Sequence, residues 1–192
     1  WGVSKGQLEL FLTEVRAAHD AGLIQGQPDP SKPFYYPKEK FDSHEIGPNM
    51  HQVNNWLIKP DTRACAPLPG VSWALAKNLK TGGLRCDLFF SHAWDEGVYE
   101  LCANALKSWP DECEGAYICC LSNPQNLDIT AVLDHPDGSP FERVLSREPR
   151  PQHMIMLANR NVAIHSRLWC VLEAHIARQN RVPSRIEGPA TQ

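Results

Sequence analysis

The sequence predicts an α/β domain with a parallel sheet over residues 85–192, preceded by an irregular extension over residues 1–84. Three observations predict it. Short apolar runs at 86–91, 116–121 and 153–158 have the length and boundaries of strands buried on both faces. Amphipathic stretches with helical spacing separate them. The strand–helix alternation repeats three times, which implies right-handed crossovers onto one parallel sheet.

Ser4 is placed to cap a helix running to about residue 20, with Leu8, Phe11, Leu12 and Val15 on one stripe. Residues 25–50 are rich in Pro, Lys, Asp and Ser, and read as a loop held down by Phe34, Tyr35 and Tyr36. Residues 50–59 fit a short helix or strand that Pro60 ends. A short helix is expected from Val71 to Leu79, and Gly82-Gly83 then breaks the chain. This region is expected to wrap the core.

In the core, CDLFFS (86–91) is the first strand. Asp95 precedes a helix in which Val98, Leu101, Cys102, Ala105, Leu106 and Trp109 recur at helical spacing, and Pro110 stops it. AYICCL (116–121) is the second strand. A loop containing Asp137-Gly138 leads to a short helix over 140–147 that packs Phe141, Val144 and Leu145. HMIMLA (153–158) is the third strand. Ser166 opens a last helix to about residue 179, with Leu168, Leu172 and Ile176 expected as its core stripe. Only Arg181-Val182 remains to begin a fourth strand, so either the sheet is small, or its remaining strands are absent from this piece or supplied by the N-terminal region.

Composition narrows function. A net charge of −3 argues against a broad nucleic-acid footprint. No apolar run approaches the 18 residues or so of a membrane span, so neither nucleic acid nor membrane insertion is expected. The opening Trp1-Gly2-Val3-Ser4-Lys5 has neither an initiator Met nor a signal-peptide profile, and the chain is expected to be part of something longer. The seven cysteines lie mostly in apolar or helical patterns and form no CxxC pair. They read as buried thiols in a reducing, cytoplasmic setting, with no metal site.

In open parallel sheets, ligands bind beyond the carboxyl ends of the strands. Those ends read Ser91-His92-Ala93-Trp94-Asp95, Ser122-Asn123-Pro124-Gln125-Asn126 and Asn159-Arg160-Asn161. Polar side chains there fit either a binding site or ordinary turn capping. No Gly-x-Gly-x-x-Gly follows any strand, which weighs against a Rossmann pyrophosphate cradle. On the last helix Trp169 and Glu173 are four apart and share a face, about 100° from the leucine stripe. Glu173 is then either a tuned carboxylate in a partly apolar pocket or a boundary residue paired with Arg167 or Arg178.

Two motifs carry a family resemblance. Cys86-Asp87-Leu88-Phe89-Phe90-Ser91-His92 resembles the first-strand motif of TIR domains. Ser166-Arg167-Leu168-Trp169-Cys170-Val171-Leu172-Glu173 resembles their Ser-x-x-Trp-Cys-x-x-Glu helix. The combination of Ser-His-x-Trp with Trp-Cys-x-x-Glu is similar to divergent TIR-like proteins of protists and algae, and the match covers about half the chain. The sequence departs from the pattern in His92 after Ser91, in the Asn-Pro-Gln-Asn loop, and in lacking fourth and fifth strands. The resemblance implies a flavodoxin-like, three-layer fold and one of two roles. One is cleavage of the nicotinamide–ribose bond of NAD as substrate, with no permanently bound cofactor and with Glu173 catalytic beside Trp169. The other is a catalytically silent module that self-associates or docks in a larger assembly. In the first role Trp94 or Trp169 would stack on a base, and Ser91 and Asn123 would meet phosphate or ribose hydroxyls. His92 would line the site, as either a proton carrier or a structural cap, and Arg160 would offset pyrophosphate charge.

Overall fold

A computed structural model of the chain describes residues 2–65, 70–128 and 138–189. Asp137, expected in a loop with Gly138, lies outside the described residues.

Period-two patterning builds the core. Strands β1 (Leu88–Ser91), β2 (Ala116–Ile118), β3 (His153–Leu157) and β4 (Ser184–Glu187) form one all-parallel sheet in the order β2-β1-β3-β4. Successive side chains on a strand point to opposite faces. Leu88, Phe90, Ala116, Ile118, Ile155 and Leu157 therefore enter one apolar cluster, and Phe89, Tyr117 and Met154 enter another. The first face is covered by helices α1 (Lys5–Asp20) and α6 (Val98–Ser108), through Phe11, Val15, Leu101 and Ala105. The second is covered by α8 (Pro140–Ser146) and α9 (Leu168–Gln179), through Phe141, Leu145, Ile176 and Ala177. The result is a flavodoxin-like three-layer α/β fold. Its strand order reverses direction at β1/β3, the place where such sheets open a ligand crevice.

The fourth strand is present, beginning two residues beyond Val182. It escaped the sequence reading because Ser184-Arg185-Ile186-Glu187 is an exposed edge strand with one apolar residue, not a buried run. The second strand is shorter than expected. It ends at Ile118, and α7 (Cys119–Ser122) turns the chain immediately.

The extension packs on the α6 side. Ser4 and Gln7 form a reciprocal capping box at the start of α1, and Val3 bridges antiparallel to Ala116 at the β2 edge. After the short helix α2 (Lys38–Phe41), residues 46–49 lie against the start of α6, with Asn49 bridged to Gly97. A Cβ on Gly97 would sit 2.1 Å from the Ile46 carbonyl oxygen, so only glycine admits that approach. Among the three aromatics of the loop, Tyr36 is buried while Phe34 and Tyr35 are exposed.

Pro60 does not end its helix. Helix α3 (Met50–Val53) passes through a π-turn over Asn54–Ile58 into α4 (Lys59–Arg63), with Pro60 in the first turn of α4. The Lys59 amide bonds back to Asn54 in the wider i→i+5 pattern, which relieves the i→i−4 ladder that the proline ring would obstruct. Helix α5 (Trp73–Lys77) and a 3-10 turn at Leu79–Thr81 follow, and Gly82 and Gly83, both at positive φ, lead into the core.

Candidate functional site

At the carboxyl ends of β1 and β2 lies a cavity of about 450 Å³, within the range of small-molecule sites. Its walls come from five parts of the chain, one of them α8 through Phe141. The β1 end supplies His92 and Trp94, and the β2 end supplies Cys119 and Asn123. Helix α9 and the residue before it supply Arg167, Trp169, Cys170 and Glu173. The extension supplies Phe34, His51, Asn54 and Lys59.

Glu173 lines the cavity and is 7% exposed. It does so because α9 packs differently from the leucine stripe the sequence suggested. Leu168 is 77% exposed and Leu172 is also exposed. The buried face instead carries Cys170, Glu173, Ile176 and Ala177, so the acid sits on the inward face rather than at its edge. The Ser91 hydroxyl donates to Glu173 Oε2 at 2.5 Å, a length typical of a charge-assisted bond. Burial raises the carboxyl most, while Ser91's hydrogen bond and the nearby His92 pull it down, and the balance stands at about 7. Arg167 does not pair with Glu173. It reaches Asp95 Oδ2 at 2.9 Å. A hydrogen bond from His51, followed by the Arg167 charge, holds Asp95 below the usual carboxylate range.

Aromatic rings contribute much of the same lining. Phe34 stacks on His51 at 4.1 Å, and His51 lies 5.3 Å from Trp94. Among the same lining residues Trp169 meets Phe141 edge-on at 5.7 Å. Asn123 is oriented by the Tyr117 hydroxyl, which donates to its Oδ1 at 3.0 Å. Gln125 braces the turn by donating to the carbonyls of Cys119 and Asn123.

Of the residues singled out in the sequence, Glu173, His92, Trp94, Asn123 and Trp169 meet at this cavity. Ser91 differs from its expected role, since its buried hydroxyl is turned onto Glu173 and not toward a ligand. His92 is likewise committed internally. Nδ1 is 3.0 Å from Glu96 Oε1 and Nε2 is 3.2 Å from Cys119 Sγ. Arg160 is not part of the site. The Asn159 side chain accepts from the amides of Asn161 and Val162, turning the loop toward α6. There Arg160 pairs with Glu45 at 2.5 Å and Glu100 at 3.4 Å.

The sequence reading missed Cys119, Phe34, His51 and Lys59. Cys119 was hidden by placing the end of β2 three residues late. The other three lie in a region without periodicity, and nothing local predicts that it reaches the cavity.

No protein-family model, curated protein or solved structure matches the chain. No helix among the described residues is long and apolar enough to cross a membrane.

Proposed function

We propose that this is a TIR-like enzyme that cleaves the nicotinamide–ribose bond of NAD, with Glu173 as the catalytic carboxylate. One observation carries the reading: a buried glutamate, held by a serine hydroxyl, lines an aromatic-walled cavity at the carboxyl edge of a flavodoxin-like sheet.

The chemistry suits such an acid. The nicotinamide leaving group is already cationic, so its departure takes the bonding electron pair and needs no proton. The demand is to oppose the positive charge growing on the ribose, as in glycoside hydrolysis. Glu173 in a poorly solvated pocket meets that demand electrostatically. A bound cation also favours the ionised form of a carboxyl that otherwise titrates at about 7. Water then adds to the ribose carbon and loses a proton, giving ADP-ribose, nicotinamide and H⁺. Trp169 and the Trp94–His51–Phe34 wall offer flat surfaces for the two bases, and Lys59 offers a cation to the phosphates.

The test is release of nicotinamide from NAD by wild type and by Glu173→Gln. The variant is expected to lose on the order of 10²–10³ in kcat, as when one preorganised transition-state contact is removed. Equal turnover by the two proteins would refute the reading.

A second reading, a self-associating or docking module, is favoured by the exposed Leu168, Val171 and Leu172 on α9. Concentration-dependent assembly that Leu168→Glu abolishes, without any NAD turnover, would establish it instead.

A further inference from the structure

A nucleophile stands in the same cavity and takes no part in the chemistry assigned to Glu173. Because β2 stops at Ile118, Cys119 emerges at the carboxyl edge of the sheet and not in the core. Its Sγ lies 3.2 Å from His92 Nε2, and the opposite ring nitrogen of His92 lies 3.0 Å from Glu96 Oε1. The indole Nε1 of Trp94 donates to the same sulfur at 3.2 Å, which leaves the sulfur as an acceptor. The His92 and Glu96 side chains are fully buried, whereas Cys119 is part-exposed and lines the cavity. Nucleophile, base and a third group orienting the base thus occur in sequence, the arrangement that activates thiols for covalent catalysis.

The surroundings of the imidazole agree. Burial, the largest influence, disfavours its cation. The charge and hydrogen bond of Cys119, with hydrogen bonds to Cys120 and Glu96, outweigh burial and hold His92 well above its ordinary range. Burial pushes Glu96 up, and His92 opposes that. Glu173, Cys102 and Cys170 also act on His92 electrostatically, and Glu100 acts on Glu96. The thiols of Cys102, Cys113, Cys120 and Cys170 are all buried and raised by burial.

We propose that Cys119, His92 and Glu96 form a second reactive centre, which transfers or hydrolyses acyl groups carried as esters or thioesters. His92 takes the thiol proton, and the sulfur attacks the carbonyl carbon. A carbon–sulfur bond forms as the bond to the leaving alkoxide or thiolate breaks, and that group departs with the electron pair and the proton from His92 Nε2. Water, deprotonated by His92, then attacks the acyl-enzyme. The carbon–sulfur bond breaks, the sulfur regains the proton, and a carboxylic acid is released. Glu96 is a positioning residue that fixes which ring nitrogen faces the sulfur. No metal, oxidant or reductant enters the balance, and the proposal is independent of the nicotinamide-cleavage reading.

The experiment uses the whole chain with p-nitrophenyl acetate, following p-nitrophenolate release and locating the acetyl group by peptide mass spectrometry. The expected result is acetyl on Cys119, with turnover falling about a hundredfold in Cys119→Ala. Glu96→Gln is expected to keep acetylation at Cys119 while displacing the pH profile of its rate, an effect that a merely structural role would not produce. A second measurement needs no variant. Iodoacetamide at pH 6 should label Cys119 about tenfold faster than Cys65, which is also part-exposed. Equal labelling of Cys119 and Cys65, or acetyl groups found only on lysines, overturns the proposal.

Discussion

Glu173→Gln is expected to make the protein more stable at pH 8 while removing its activity. An ordinary glutamate titrates at 4.5, and here the carboxyl is raised to about 7, mainly by burial. Each pH unit of that displacement corresponds to about 1.4 kcal/mol, so keeping the anion folded costs about 3 kcal/mol. The sign follows from proton counting. Between pH 4.5 and 7 the folded chain holds a proton that the unfolded chain has released, so stability falls as pH rises through that window. Below it both states are protonated and the cost vanishes; above it the cost is complete. Glutamine has nearly the same shape, stays neutral, and still accepts from the Ser91 hydroxyl. Urea and thermal melts of the two proteins at pH 5 and pH 8 measure the difference. At pH 8 the variant should gain about 3 kcal/mol, or roughly 6–12 °C in Tm for a chain of this size; at pH 5 it should gain less than about 1 kcal/mol. An equal gain at both pH values would show that ionisation of Glu173 is not the source. A loss at pH 8 would show that the charged Ser91–Glu173 contact stabilises the fold, and the premise of a frustrated acid would fail.

The other expectations are simpler. If the carboxylate is the working form, kcat/KM for NAD should rise with pH through about 7 and level off above it; a flat profile from pH 5.5 to 8.5 would oppose the assignment. Arg160→Ala should leave KM for NAD unchanged, because the guanidinium pairs with Glu45 and Glu100 away from the cavity. A large increase in KM would place it back in the site. Phe11→Ala removes a fully buried ring packed edge-on to Trp73 at 5.4 Å and should cost about 3–5 kcal/mol, read by chemical denaturation. A cost below about 1 kcal/mol would mean that α1 is not integral to the core.

How much was legible depended on whether local pattern and final burial agreed. They agree for α6, where Val98, Leu101, Cys102 and Ala105 recur at helical spacing and all are buried. They agree for β1 and β3, whose apolar runs are covered on both faces. They conflict on α9. There the most apolar stripe, Leu168 and Leu172, faces outward, and the buried face spends one position on a carboxylate. Hydrophobic patterning assumes that burial follows apolarity, and the inward-facing carboxylate of Glu173 breaks that assumption. The motif residues at the strand ends still found the cavity because those ends converge there, and Glu173 reached it because α9 turns the acid inward. Cys119 needed a strand boundary accurate to a residue, because one position decides whether a thiol is core or edge. Phe34, His51 and Lys59 were out of reach for a different reason: their place depends on long-range contacts such as Asn49 with Gly97, which no local signal encodes.

The cavity's lining comes from opposite halves of the chain: Phe34 and His51 from the first, Cys119 and Glu173 from the second. A ligand spanning them would add a strut between two stretches already joined by apolar packing, the Asn49–Gly97 bridge and ion pairs such as His51–Asp95 and Arg160–Glu45. Occupancy should therefore be felt at a distance from the reacting atoms, as slower proteolytic cutting of the proline-rich stretch around residues 25–48. A chain begun at residue 85 would lose Phe34, His51 and Lys59 from that lining together with the α1 cover of the sheet, and so would grip its ligand poorly.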